Sequence, residues 1–421
     1  MIFDGALRAA DVAPLVQRAL AGVRLPDAGR VVVVGAGKAS GAMAAAVEHT
    51  LGDRVAGGLV VVKNGYRADT RRIELVEAGH PVPDARGEAG AARIRALAET
   101  LGADDLLLVL VSGGGSALTP APAPPITLAD KQALTRLLLG AGANINQLNA
   151  VRKHCSRLKG GQLARAADPA RVHALLLSDV IGDPVDVIAS GSTAPDASTF
   201  ADALAILDRF ALRTRAPASI VDRLERGASG EIPETPKPDD PVFRHVANVV
   251  VGNNALVVDA AGARARALGY APHVLTRGLE GEAREVAERL VGLAREIRDG
   301  RGPVRPPACV IAGGETTVTV RGRGTGGRCQ EFALAAAIAL DGVDRVVALA
   351  AGTDGTDGPT DAAGAVADGR SAGRARQLGQ DPGARLADND SNPVLGALGD
   401  LVITGPTRTN LLDLYLLLID A

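Results

Sequence analysis

Four short apolar runs, each closed by glycine or a polar turn and followed by a helical pattern, constrain this chain most: RVVVVGAG, GLVVVKNG, DLLLVLVSGGGS and RVHALLLSDV. Hydrophobicity that is continuous rather than alternating marks strands buried on both faces. The helical stretches between them supply the right-handed crossovers of a parallel sheet. The expected fold class is therefore α/β, with an N-terminal doubly wound, Rossmann-like parallel sheet. A length of 421 residues leaves room for a second domain. The stretch RGASGEIPETPKPDDPVF carries Pro233, Pro236, Pro238 and Pro241, which exclude regular helix and favour an extended segment. The boundary is placed there, giving domains 1–235 and 236–421.

Beyond it come VANVVVGNN leading into a helix from Ala255 to Leu268, APHVLT leading into a charged helix from Glu282, and ACVIAGGETTVTVRGRGTGGR. Thr316 to Val320 is β-branched and follows the strand Cys309–Ala312 after a short turn, which predicts a hairpin. The second domain is accordingly expected to be α/β with a mixed sheet. The tail DLVITGPTRTNLLDLYLLLIDA holds two further apolar runs, which either complete this sheet or return to the first domain.

Aromatic residues make up only 2% of the chain and tryptophan is absent, so both cores must be built from Val, Leu, Ile and Ala. The same scarcity removes the stacking platforms of single-strand binders, and a net charge of -2 offers no basic field, so no nucleic-acid partner is expected. Cys155, Cys309 and Cys329 lie far apart, without the spacing of a zinc site or the even number of a disulfide framework. With no apolar leader and no membrane-length apolar stretch, a reducing cytoplasm is the expected location, with no membrane partner. Lysines are few (Lys38, Lys63, Lys131, Lys153, Lys159, Lys237), and each is worth reading singly.

In open α/β sheets ligands bind beyond the carboxyl ends of the strands. After the first strand, VVVVGAGKAS lacks the first glycine and the final Ser or Thr of a phosphate-binding P-loop, having Val32 and Ala39 there. It also fails as a dinucleotide fingerprint: Ser40 stands at the third glycine, and the second strand ends in Lys63 where an acidic ribose ligand belongs. A glycine turn at Gly35–Gly37 opening a helix N-terminus is left as a general anion site, with Lys38 pointing into it. A lysine there opposes the helix dipole, which a bound anion would offset.

The third strand ends in Ser112-Gly113-Gly114-Gly115-Ser116, whose amides and hydroxyls suit a phosphate. After the fourth, Asp179 and Asp183 flank Gly182 and either hold Mg²⁺ or accept a substrate proton, unless Asp179 caps the next helix. NAVRKHCSRLKGGQLA concentrates Arg152, Lys153, His154, Arg157 and Lys159 nearby. In the second half, Arg321, Arg323 and Arg328 alternate with glycines as a receptor for a carboxylate or phosphoryl group. Asp354, Asp357 and Asp361 follow in a loop able to take a divalent ion, although not in an EF-hand pattern. Paired anion sites and acidic loops together suggest phosphoryl transfer to a small anionic substrate.

The strings VVVVGAGKASGAMAAAVE, GHPVPDARG, VSGGGSAL, NAVRKHCSRLKGGQLA, LSDVIGDPVDVIASG, GGETTVTVRGRGTGGRCQEFALA, AAGTDGTDGPTDAAGA and ITGPTRTNLLDL occur in this order. Together they resemble the bacterial class II glycerate 2-kinases, built from a DUF4147 region and a MOFRL domain and formerly labelled hydroxypyruvate reductases. The resemblance implies transfer of the ATP γ-phosphoryl group to the 2-hydroxyl of D-glycerate, with Mg²⁺, in an interdomain cleft. It implies small-molecule partners only, D-glycerate and ATP, in a monomer or homodimer. Lys38 and Arg328 match the catalytic lysine and arginine, with Asp179 as the third catalytic candidate. Gly37, Ser112, Gly113, Gly114, Gly115, Ser116, Lys153 and Asp183 are the expected cofactor-binding residues, and Asp179 and Asp183 the metal ligands. His80, Arg152, Glu315 and Asp354 are expected at the substrate. The chain departs from the family at Gln147 (usually Glu), Ile181 and Ser192 (Pro), Cys329 (Asn), Arg408 (Gly) and Leu412 (Asn).

Overall fold

The computed structural model describes all 421 residues. Twelve strands are present: β1 (Val31–Ala36), β2 (Val55–Lys63), β3 (Ile73–Ala78), β4 (Leu106–Val111), β5 (Arg171–Leu177), β6 (Val246–Gly252), β7 (Ala271–Leu279), β8 (Ala308–Gly314), β9 (Val346–Gly352), β10 (Gly364–Asp368), β11 (Leu401–Val402) and β12 (Asp413–Ile419). They form two six-stranded sheets, in two compact units.

The unit Val12–Val251 holds the sheet β3-β2-β1-β4-β5-β6. Strands β3 to β5 run parallel, as their unbroken apolar runs require. Every residue of β1 and of β4 is buried, and each fully buried Val or Leu contributes about 1.5–3 kcal/mol. Order reverses between β1 and β4, so their carboxyl ends mark the switch point where ligands bind in such sheets. A helical layer in the same unit, comprising Leu128–Gly140, Ile145–His154, Phe200–Arg209 and Ala218–Ala228, has its own core around Leu134, Val151, Phe200 and Leu224. Three of its helices open with reciprocal caps, Thr127 with Asp130, Asn144 with Gln147, and Thr199 with Asp202. Gln147 thus serves as a cap in the place where the family pattern has Glu.

The expected boundary after residue 235 does not match the division of the structure, which falls between Val251 and Gly252. The proline-rich stretch is not a linker but a strap on the first unit. Asp196 N–H donates to the Pro236 carbonyl at 2.9 Å, Thr235 Oγ1 to Asp196 at 3.0 Å and Arg165 to the Glu234 carbonyl at 2.9 Å. VANVVVGNN then becomes β6, the edge of the first sheet rather than the start of the second.

The other unit contains residues 252–421 and the first eleven residues, whose helix Ile2–Ala9 lies close enough to Asn254–Ala267 that a Cβ on Gly5 would meet Arg264 Cγ at 3.0 Å. Its sheet, β11-β10-β9-β12-β8-β7, is mixed: β7 and β8 are parallel, and the other pairs antiparallel. The C-terminal run completes this sheet, with β12 paired to both β8 and β9. That placement removes the expected hairpin at Thr316–Val320, because β8 is already bonded on both edges. Only an isolated bridge from Thr317 to Glu282 forms there.

Candidate functional site

At the switch point the loops after β1 and β4 lock together. Lys38 N–H donates to the Gly113 carbonyl at 2.9 Å, and Ala39 N–H donates to Ser112 Oγ at 2.9 Å. The Ser112 and Ser40 hydroxyls share a bond at 3.0 Å. A Cβ on Gly37 would fall 2.1 Å from Ser112 Oγ, and its φ of +149° disfavours any side chain, so this glycine permits loop-on-loop contact. Ser112 and Ser40 are completely buried. The expectation that Ser112 donates to a phosphate is therefore corrected: its hydroxyl is consumed as a clamp. The helix Ser40–Leu51 likewise does not present a wholly open N-terminus, since the Ala39 amide before it is already bonded. Lys38 is half-buried on this clamp, its backbone fixed by the neighbouring strand's loop.

The remainder of the glycine loop meets one expected residue, His80, and one buried cation, Lys159. His80 packs on Gly114, where a Cβ would approach the imidazole to 2.9 Å. Lys159 Nζ donates to both the carbonyl and the hydroxyl of Ser116, each at 2.7 Å. Ser116 continues through Ser190 at 2.9 Å to Asn149 at 3.0 Å from Ser190. Burial, with Arg152 and Lys131 adding repulsion, holds the Lys159 ammonium well below the ordinary lysine range. Arg152 lines the same cavity as Ser116 and Lys159. Lys153 is a second correction. Its side chain is 5% exposed and paired with buried Asp196 at 3.3 Å and with Asp186 at 3.5 Å, in a network that reaches Thr235 and Ser198. It anchors the proline strap instead of facing a nucleotide.

Asp179 and Asp183 are half-buried in the loop following β5. No helix begins at Asp179; the next helical turn is Ile188–Ser190. The cap explanation for Asp179 thereby loses its helix. Asp183 has φ +55° behind Gly182 at +80°, so the loop turns back within five residues.

In the other unit the helix Arg328–Ala339 starts two residues earlier than the pattern at Gln330 suggests, which puts Arg328 in its first turn. A cation there opposes the helix dipole, and carboxylates answer it. Arg328 is held by Asp413 through two bonds, Nε to Oδ2 at 2.5 Å and Nη2 to Oδ1 at 3.0 Å, and by Glu315 through Nη1. Burial alone would lower its pKa, but Asp413 and then Glu315 outweigh that and raise it. Asp413, 2% exposed, is the partner of this candidate arginine that the sequence reading missed. The available signal was a lone aspartate opening the apolar run LYLLLI, where a charge must have a partner.

Asp357 accepts from the amides of Cys329 and Gln330 at 3.2 and 2.9 Å, capping that helix, and burial pushes its carboxyl up to about 6. Asp354 accepts from Thr356 N–H at 3.0 Å, while Asp361 is exposed. The three acids expected to share a loop site are thus spread over separate duties. The glycines before Arg328 do not loosen the backbone but let it lie flush, since Cβ atoms on Gly324 and Gly327 would fall 2.3 Å from Asp390 and Asp357 atoms. Arg321 and Arg323 are exposed, with only their amides bonded to Asn389 and Asp388. Of the three arginines, Arg328 alone is built into a constellation.

Two departures from the family pattern coincide with backbone strain. Arg408 and Leu412 have φ of +62° and +65°, the left-handed region where Gly and Asn are tolerated and other residues cost about 1–2 kcal/mol. Arg408→Gly is expected to raise stability by about 0.5–1 kcal/mol after the entropy cost of glycine. The urea midpoint should rise with unchanged slope; an unmoved midpoint would mean that the loop carries no strain.

No helix is long and apolar enough to cross a membrane. All three cysteines are free and buried. Residues 1–225 match the family described as a domain of unknown function (DUF4147), and residues 308–413 match the MOFRL family. The D-glycerate 2-kinase of Thermotoga maritima is 43% identical over 394 residues, covering 93% of this chain and 91% of that protein. An Agrobacterium vitis protein named as a hydroxypyruvate reductase is 44% identical over 424 residues, covering 99% and 93%. The crystal structure of a Thermotoga maritima glycerate kinase superposes with a TM-score of 0.90 at 41% identity, covering 99% of this chain and 97% of that one.

Proposed function

From the premise that this chain belongs to the glycerate kinase family, with its DUF4147 and MOFRL regions, we propose that it transfers the γ-phosphoryl group of ATP to the 2-hydroxyl of D-glycerate, releasing ADP and 2-phosphoglycerate. The observation that carries this reading is the likeness to a D-glycerate 2-kinase across 93% of the chain. Phosphoryl transfer asks little covalent chemistry of the protein; it needs positioning and neutralisation of charge on the transferred group. Lys38 supplies a cation at the switch point, on a backbone clamped by the Gly113 carbonyl. Arg328, oriented by Asp413 and Glu315, takes the glycerate carboxylate or the phosphoryl oxygens with what remains of its fork. Gly113 to Ser116 and Arg152 hold nucleotide phosphates; His80 lies against that loop. Glu315 and Asp354 stay as candidates on the glycerate side, Glu315 through its hold on Arg328.

Magnesium takes one or two carboxylates and fills its shell with phosphate oxygens and water, so two hard donors in one turn suit it. Asp179 and Asp183, four residues apart and both half-buried in the loop beyond β5, are the two donors assigned to it here. They would hold the ion, which would screen phosphate charge; Asp179 is also the group available to accept the glycerate hydroxyl proton.

A coupled assay with ATP and D-glycerate, the product resolved by position, tests the proposal. Stoichiometric ADP and 2-phosphoglycerate are expected; 3-phosphoglycerate would overturn the positional part, and no ADP the whole. The reductase reading follows the name of the Agrobacterium vitis relative. Against it, β2 ends in Lys63, whose ammonium sits over the Tyr66 ring at 5.2 Å, where an acidic ribose ligand would be needed. Hydroxypyruvate with NADH or NADPH is expected to give no loss of nicotinamide absorbance.

A further inference from the structure

A cavity of about 290 Å³ in the N-terminal unit lies beside the glycine loop. Four of its lining side chains, Lys131, Arg136, Arg152 and Lys159, are cations, of which Arg136 is exposed, and none is a carboxylate. Lys131 is 7% exposed, and its ammonium is buried with no hydrogen-bond partner. It stands in the first turns of the helix Leu128–Gly140, where the dipole also disfavours positive charge. Burial holds its pKa down to about 8, with Cys155 opposing, Arg152 adding to the fall and Glu88 opposing. Lys159 is 2% exposed and feels repulsion from Arg152 and Lys131.

An unpaired buried ammonium costs several kcal/mol, and a methionine would fill the same space without that cost. Lys131 without a partner, Lys159 bonded only to Ser116 and half-buried Arg152, kept together with no carboxylate among the lining residues, make sense when a multiply charged anion completes them. The rim differs from the floor. Val82 and Leu139 are exposed by 64% and 59%, and Pro83 and Pro120 join them as apolar walls. Such walls suit a flat organic group leaning over the anion, and suit the hydroxyl-rich glycerate poorly.

We propose that this cavity is the nucleotide subsite: Lys131, Arg152 and Lys159 receive the phosphate chain, and Val82, Pro83 and Leu139 lie against the sugar and base. The assignment rests on the kinase reading for the identity of the ligand, and it adds Lys131 and Lys159 as binding residues.

Calorimetric titration of the full chain with ADP, tripolyphosphate and D-glycerate tests it. Lys131→Met is expected to weaken ADP and tripolyphosphate binding at least tenfold and to leave glycerate binding unchanged. Its melting temperature is expected to rise by several degrees, because the buried charge is gone, so the loss is not one of folding. Leu139→Ser is expected to weaken ADP several-fold and tripolyphosphate not at all. Unchanged ADP and tripolyphosphate affinity in Lys131→Met, or a loss confined to glycerate, would overturn the assignment. Should Lys131→Met not fold, Arg152→Gln at a half-buried position gives the same readout. The two proposals fail separately. Wild-type protein that binds ADP through Lys131 yet transfers nothing to glycerate sinks the kinase reading alone. Full turnover with an unaltered ATP KM in Lys131→Met sinks the cavity assignment alone.

Discussion

Replacing Lys38 by alanine is expected to cut ATP-dependent phosphorylation of D-glycerate by about a thousandfold or more, a loss near 4 kcal/mol of transition-state stabilisation. The effect should fall on kcat more than on KM, since charge builds on the phosphoryl oxygens as the bond to the leaving ADP loosens. The fold should survive the change: what locks the loop is the Lys38 backbone amide on the Gly113 carbonyl, together with the Ala39–Ser112–Ser40 bonds, and alanine retains them all. Steady-state kinetics alongside thermal melting separates the two quantities. Turnover near wild type in a folded Lys38→Ala protein would remove Lys38 from the mechanism.

Arg328→Ala is expected to lose both activity and stability. With the guanidinium gone, Asp413 remains 2% exposed without its two charged bonds, left with neutral partners, the Tyr415 hydroxyl at 3.1 Å and the Cys329 thiol. Breaking a buried pair from one side costs about 3–5 kcal/mol. Turnover should fall by about two to three orders of magnitude from loss of the anion-binding fork. Pairing Arg328→Ala with Asp413→Asn removes the stranded charge, so the double variant should recover most of the stability and none of the turnover. Urea denaturation and kinetics on the same samples decide. A double variant no more stable than Arg328→Ala would mean that Asp413 is not stabilised by this arginine, and restored turnover would mean that Arg328 is not needed for chemistry.

The contrast between these two residues shows how far sequence reading reached. Lys38 could be singled out as a candidate because it fits neither nucleotide fingerprint yet follows a strand and glycine turn, a local pattern. Arg328 was legible as one of three arginines, and nothing local separated it from Arg321 and Arg323. What separates it is Asp413, 85 residues away along the chain and brought alongside only because β12 inserts between β8 and β9. Lys153 and Ser112 went the other way. Both have the right chemistry for phosphate, but one is paired with Asp196 and the other is sealed against Ala39 and Ser40.

By itself the sequence determined the α/β class, the parallel first sheet and the mixed second one, because burial on both faces demands continuous apolar strands and leaves that signature within a few residues. It also singled out the loops proposed here to carry chemistry, since those follow strand ends. Tertiary structure alone decided which polar side chains are spent on the fold and which line a site. Lys131, Lys153 and Lys159 are alike as buried lysines, yet Lys153 meets a carboxylate and the other two line one cavity. A charge's role depends on what faces it across the fold, and that partner lies 43 residues from Lys153 and 85 from Arg328.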